Sequence, residues 1–177
     1  MIRNMTFVRS IQSRPARNRL AALLGLGLLV SILCSGCMSF SLEEFSPDEI
    51  SSDSLAGTIN GESWRFATGW GSRNSDGDRA LITIFSGEAA TCGYDDGSEN
   101  QILISVPLTP GSYPFGFEAG QTGTMVFPME DGSPMNAIAI EGLLVVHEVT
   151  EDSVKAGLVM VSGEHEVNGQ FEAILCN

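Results

Sequence analysis

Basic side chains almost vanish from this chain after its first nineteen residues. Arg3, Arg9, Arg14, Arg17 and Arg19 account for five of the nine lysines and arginines, whereas all 22 acidic side chains lie beyond residue 36. From residue 37 onward four basic groups face those 22 acids, a net charge of −18. A surface that acidic repels phosphate backbones and anionic headgroups, so nucleic-acid binding and a polybasic membrane patch are excluded. Catalytic signatures are missing too: there is no G-x-S-x-G elbow, no H-E-x-x-H helix and no glycine-rich phosphate loop. From residue 55 to 177 no window holds helical spacing for three turns, which excludes a helix bundle or a sheet joined by crossover helices there. The length of 177 residues suits one domain, and 43% hydrophobic residues are enough for a core.

What is present begins with a leader. Residues 1–19 carry arginines and no acid, and the fourteen residues from Leu20 to Leu33 are apolar or glycine except Ser31. This is a charged n-region followed by an h-region of signal-peptide length. Fourteen helical residues rise only ~21 Å, short of the ~30 Å hydrocarbon core, although an uncharged stretch continued to Phe40 would reach it. The residues that close the run decide between leader and spanning anchor. Leu33-Cys34-Ser35-Gly36-Cys37 resembles the lipobox of bacterial lipoproteins, with Ser35 and Gly36 in the two small positions and Cys37 as the modified cysteine. It departs from the family at Cys34, where leucine is usual. The resemblance implies diacylation of Cys37, removal of residues 1–36, and a membrane partner reached through the lipid anchor. Two acyl chains supply the two signals that stable anchoring takes. Met38 stands where an aspartate would imply retention at the inner membrane, so the resemblance implies the outer membrane of a Gram-negative envelope.

With Cys34 in the leader and Cys37 acylated, Cys92 and Cys176 remain. A lone pair in an oxidising envelope compartment most simply forms one disulfide, worth about 4–5 kcal/mol for a loop of about 85 residues. Two free thiols, or two ligands of a metal site, are the alternatives.

Residues 37–54 read as a serine-rich, acidic tether, flexible and self-repelling. Within it, Ser46-Pro47-Asp48-Glu49 carries the signals of a helix start, with Phe45 and Ile50 placed as a hydrophobic staple. From residue 55 to 177 the character changes to short apolar runs punctuated by 17 glycines. Strands are expected at 55–59, 62–68, 79–86, 101–106, 113–118, 123–128, 135–148, 153–161 and 166–175. Asn60-Gly61 is the strongest hairpin signal. The fold class expected is all-β, an antiparallel β-sandwich of about eight or nine strands. Alternation puts Trp64 and Phe66, Ile102, Ile104 and Val106, Val154 to Met160 by twos, and Val167, Phe171, Ala173 and Leu175 into the core. The apolar run from Ala137 to Val149 reads as a central strand, or one that bends through Gly142. Asn168-Gly169 competes with Ser162 to His165 as the last turn, and the latter gives strands of matching length.

Three constellations carry some chemistry. Asn74, Asp76 and Asp78, with Asp95 and Asp96 in the next loop, offer oxygen ligands of the kind calcium takes, but the order of residues fails the EF-hand pattern, and turn chemistry with solubility charge is the favoured reading. His147 and His165 each have glutamate neighbours, which makes a secreted hydrolase with a composite site the alternative function. Trp64, Trp70, Tyr94 and Tyr113 could line a groove for sugar or peptide, with Trp64 better read as core and Trp70, between two glycines, the better candidate for exposure. Beyond the leader, Ile-Asn-Gly-x-x-Trp, Pro-Gly-x-Tyr and the cysteine near the end resemble small secreted β-sandwich lipoproteins of unassigned function, a resemblance that transfers no functional residue. The expectation is a non-enzymatic envelope protein that binds a protein or glycan partner or serves structurally, with no cofactor unless calcium.

Overall fold

The computed structural model describes residues 45–87, 92–93 and 99–176. The leader, Cys37, Tyr94, Asp95 and Asp96 lie outside the described residues. Eleven strands dominate: β1 (Ala56–Ile59), β2 (Glu62–Arg65), β3 (Thr68–Arg73), β4 (Arg79–Phe85), β5 (Gln101–Pro107), β6 (Gly111–Pro114), β7 (Gly123–Pro128), β8 (Pro134–Ala139), β9 (Glu141–Val149), β10 (Ser153–Ser162) and β11 (His165–Cys176). A single 3-10 turn at Pro47–Glu49 is the only helical element among the described residues. The all-β expectation therefore holds.

All eleven strands are hydrogen-bonded into one sheet, in the order β6-β9-β10-β11-β3-β4-β5-β7-β8, with β1 also on β11 and β2 on β1. No division into two sheets is seen among the described strands, and the antiparallel expectation fails at one pair, β3 with β11. The parallel pair comes from the path of the chain. β1 runs antiparallel to β11 over Ala56–Thr58, and the Asn60-Gly61 turn, with φ of 54° and 73°, sends β2 back along β1. Those angles are what a two-residue type I′ hairpin demands. At Phe66 and Ala67 the chain changes neighbours: the Phe66 N–H donates to Leu55 O (2.8 Å) and the Ala67 N–H to Phe85 O (2.9 Å). The run then continues in the same direction as β3, beside the second half of β11. No crossover helix is needed, because direction was reversed only once.

β3 is the strand that the sequence hides. Gly69 and Gly71 make it look like a loop, yet a Cβ on Gly71 would fall 2.1 Å from Leu81 O, so the glycine is required by the close approach of β4. The expected 62–68 strand is thus cut at Arg65 and followed by a new one.

The sheet curls on itself. A Cβ at Gly123 on β7 would lie 2.3 Å from the Met160 sulfur on β10, and Ser162 Oγ donates to Ile138 O of β8 (3.0 Å), so the two flanks meet across the interior. The core inside the curl contains Trp64, Ile82, Ile84, Ile102, Ile104, Met125, Leu144, Leu158, Met160 and Val167, with the alternating sets expected from β5, β10 and β11. Turn Gly163-Glu164 joins β10 to β11, and β11 runs unbroken through Asn168 and Gly169. The expected strand 135–148 is instead two, parted at Ile140: β8 pairs with β7, and β9 pairs with β10 and β6. The expected 113–118 strand shortens to β6.

The chain before β1 is laid on the sheet. Glu49 reaches back to the Ser46 N–H as in a capping box, while the Glu49 N–H goes to the Ser46 carbonyl and not its hydroxyl. The Ser51 N–H donates to Asn168 Oδ1 (2.8 Å), Asn168 Nδ2 to Glu49 O (2.9 Å) and Gln170 Nε2 to Ser51 O (2.9 Å). Ile50 covers Gly157, where a Cβ would sit 2.9 Å from Ile50 Cγ2 and 2.9 Å from Gln170 Nε2. Of the stretch expected to be a flexible tether, residues 46–54 are therefore strapped to β10 and β11. Gly157→Val should lift this strap while leaving the core intact, costing about 1–3 kcal/mol as overpacking does. Faster amide exchange at Ser51 and Leu55, with little change at β4 and β5, is the expected result.

The β7–β8 turn offers a pH test. Asp131 Oδ1 accepts from the Ser133 hydroxyl (2.6 Å) and the Ser133 N–H (2.9 Å), which hold its carboxyl below the usual carboxylate range. A folded pKa below the unfolded one means that the contribution to stability is fully present above the unfolded value and is lost as pH falls through the folded one. Ser133→Ala should raise the Asp131 midpoint measured by NMR. Because the carboxylate is fully exposed, any accompanying change in stability should be small.

Candidate functional site

Cys92 and Cys176 form a disulfide, with S–S 2.01 Å and Cα–Cα 5.6 Å, closing a separation of 84 residues. Cys176 ends β11 opposite Ser72, and Ser72 faces Leu81, so the disulfide ties Cys92, between β4 and β5 in the chain, to the end of β11 beside β3. Phe85 and Gln101 point outward yet are only 2% and 7% exposed.

This arrangement corrects the expectation for Trp70. It lies on a strand, β3, and not in a loop, its ring is half-buried against Phe85 (centroids 5.9 Å apart), and Trp70 Nε1 is buried without a partner among the described residues. Trp64 is in the core and donates from Nε1 to Asn100 O (2.8 Å). Tyr113 donates to Thr109 O (2.8 Å) on β6, four strands from β3 in the sheet order. The described aromatic side chains named for a ligand groove do not meet.

The 74–78 loop is built by turn chemistry. Its neck is closed by the Asn74 N–H to Arg79 O (2.9 Å), and the Asn74 side chain donates from Nδ2 to Asp78 Oδ1 (2.7 Å) while its Oδ1 accepts the Arg79 N–H (3.2 Å). Among the described residues Asp76 receives only the Ser75 hydroxyl, at 3.4 Å. Asn74 thus spends both ends of its amide inside the loop. Among the described residues no three acidic, histidine or cysteine side chains converge as a metal would require.

The two histidines occupy different settings. In the β9–β10 ladder Lys155 faces Glu148 and Ala156 faces Val146, so His147 is the extra residue of a β-bulge. The bulge turns it outward and returns Val149 to the core side. His147 Nε2 meets Gln170 Oε1 at 3.0 Å, so Nε2 carries the proton. It overlooks a hollow of about 390 Å³ lined also by Ser54, Phe66, Glu148, Lys155 and Glu172. Lys155 Nζ lies 2.9 Å from Glu148 Oε2, and that hydrogen bond, then the charges of Glu148 and Glu172, hold the ammonium above its ordinary range. His165 is buried on β11, where Nδ1 accepts the Asn60 N–H (3.0 Å) and the ring packs 4.9 Å from Phe127. It buttresses the first hairpin turn. Among the described residues neither ring is hydrogen-bonded to a carboxylate or a hydroxyl, so the relay of acid, imidazole and nucleophile is not assembled here.

A second hollow, about 550 Å³, was not foreseen. It is lined by Phe45, Phe115, Phe117, Glu118, Ile140 and Glu141, among others. Read as one strand, 113–118 would point Phe115 and Phe117 the same way. Gly116, at φ 153°, instead donates its N–H to Gln121 O (2.9 Å) and turns the chain, leaving Phe115 buried and Phe117 73% exposed. The signal available in the sequence was the turn-rich composition of Gly116 to Gly120.

Comparison with protein-family models, with curated proteins and with solved structures finds no match.

Proposed function

We propose that the chain is a lipid-anchored protein of the bacterial cell envelope, acylated at Cys37, whose β domain binds a protein or glycan partner or serves structurally and catalyses no reaction. The observation that carries this is the sequence Leu33-Cys34-Ser35-Gly36-Cys37 at the end of an arginine-bearing, then apolar, leader. The Cys92–Cys176 disulfide supports export, because such bonds persist in oxidising compartments. The amide and backbone partners of His147 and His165 favour structural roles over catalysis. In the fold reading that goes with this proposal, the curled sheet works as a sandwich, its β3–β5 part packed against its β9–β11 part over a shared core. Met38 after the modified cysteine favours the outer membrane where the source has one. Growth with labelled palmitate should label the protein and Cys37→Ser should abolish the label. Label retained in that variant would overturn the proposal.

A further inference from the structure

Scattered apolar side chains on a surface are ordinary, but a groove of them beside a membrane anchor is not. Phe117 is 73% exposed and shares its groove with Phe45, Pro114, Phe115 and Ile140. A cavity of ~150 Å³ is enough for a benzene ring, so about 550 Å³ admits several groups of that size.

Phe45 fixes where this groove stands. It lies eight positions beyond Cys37, and at ~3.3–3.6 Å per position the groove is held within roughly 30 Å of an acyl anchor there. Nothing downstream adds slack, since residues 46–54 are strapped along β10 and β11. Leu81, 61% exposed on β4, has no such tie and lines no groove described here.

Charge selects the occupant. Glu118 and Glu141 line the groove, and the only ion pair among the described residues is Lys155 with Glu148, elsewhere on the sheet. A second copy would bring two domains of charge −18 face to face, and anionic headgroups would be repelled in the same way. Zwitterionic headgroups present an ammonium outermost and carry no net charge. We infer that the groove docks on a zwitterionic lipid surface, with Phe117 and Ile140 inserted among the headgroups and Glu118 and Glu141 facing their ammonium groups. Tethering makes the contact intramolecular, so one modest apolar insertion suffices to hold the domain down. The inference rests on acylation of Cys37.

The test uses the acylated full chain in vesicles of phosphatidylcholine and phosphatidylethanolamine, with and without brominated acyl chains. Phe117→Trp and Ile140→Trp are compared with Leu81→Trp, the native Trp64 and Trp70 being common to all three. Bromination should remove most of the emission added at 117 and 140 and none of that added at 81, and including phosphatidylglycerol in the vesicles should weaken the quenching. Mass spectrometry of the same samples reads the acyl groups. Acyl mass present with equal bromine responses at 117, 140 and 81 overturns the docking and leaves the anchor standing, whereas its absence overturns both. Emission at 117 that shifts to the blue with protein density and ignores bromine identifies a second copy as the occupant and likewise overturns the lipid assignment.

Discussion

The double variant Cys92→Ala/Cys176→Ala will unfold at a midpoint roughly 10–20 °C below the parent. Closing a loop of 84 residues removes conformational entropy from the unfolded chain worth about 4–5 kcal/mol, and for a domain of this size each kcal/mol moves the midpoint by about 3–4 °C. The same substitution releases Cys92 from the end of β11, while Trp64, 2% exposed in the core, keeps its surroundings. Thermal scans at one pH, read by circular dichroism and by fluorescence, check the midpoint. A midpoint within a few degrees of the parent would show that the unfolded chain is restrained by something other than this bond.

Trp64→Ala will cost about 3–5 kcal/mol in chemical denaturation, the range for deleting a large buried aromatic side chain. Trp64 sits opposite Gly57 across the first hairpin and donates to Asn100 O, while Asn100 Nδ2 reaches Ile59 O (3.3 Å) at the far end of the same hairpin. The indole and the asparagine together clamp β1 and β2 to the entrance of β5. Trp64→Phe keeps most of the packing but leaves the Asn100 carbonyl without its donor, and should cost about 1–3 kcal/mol. Equal losses in the two variants would assign the effect to the hydrogen bond, and a loss under 1 kcal/mol in Trp64→Ala would contradict the burial.

What could be read in the sequence was whatever rests on local chemistry. Asn60-Gly61 has a conformation that few other pairs adopt, so its turn type and register followed from two residues. The alternation in β5, β10 and β11 identified their core faces because a slip by one residue would bury Gln170 or Lys155. β3 stayed hidden because Gly71 is needed by a neighbour 10 residues away in the chain, Leu81 of β4, and a requirement set by contact leaves no local mark. The bulge at His147 had the same invisibility, since an unpaired residue is defined only by its partner strand. The apolar groove was missed for the converse reason: Gly116 breaks a pattern that taken alone still alternates. The acidic loops were legible as turn chemistry in the case of Asn74 and Asp78, while Asp95 and Asp96 are outside the described residues.

β11 has β10 along one flank and divides the other between β1 and β3. Seen as a folding problem, this makes one strand the condition for several others. The β1–β2 hairpin can form within microseconds from its own turn, but Ala56 finds its partner at Asn168 and Trp70 finds Ile174, more than a hundred positions along. Until that closure occurs, β1 and β3 present open edges and the first hairpin has nothing to rest on. Loop closure over such distances must precede the contacts that reward it, which places this domain among the slower folders, in milliseconds to seconds. In the meantime the unpaired edges of β1 and β3 are templates for another unfolded copy, so the interval before β11 docks is when the chain is most exposed to aggregation.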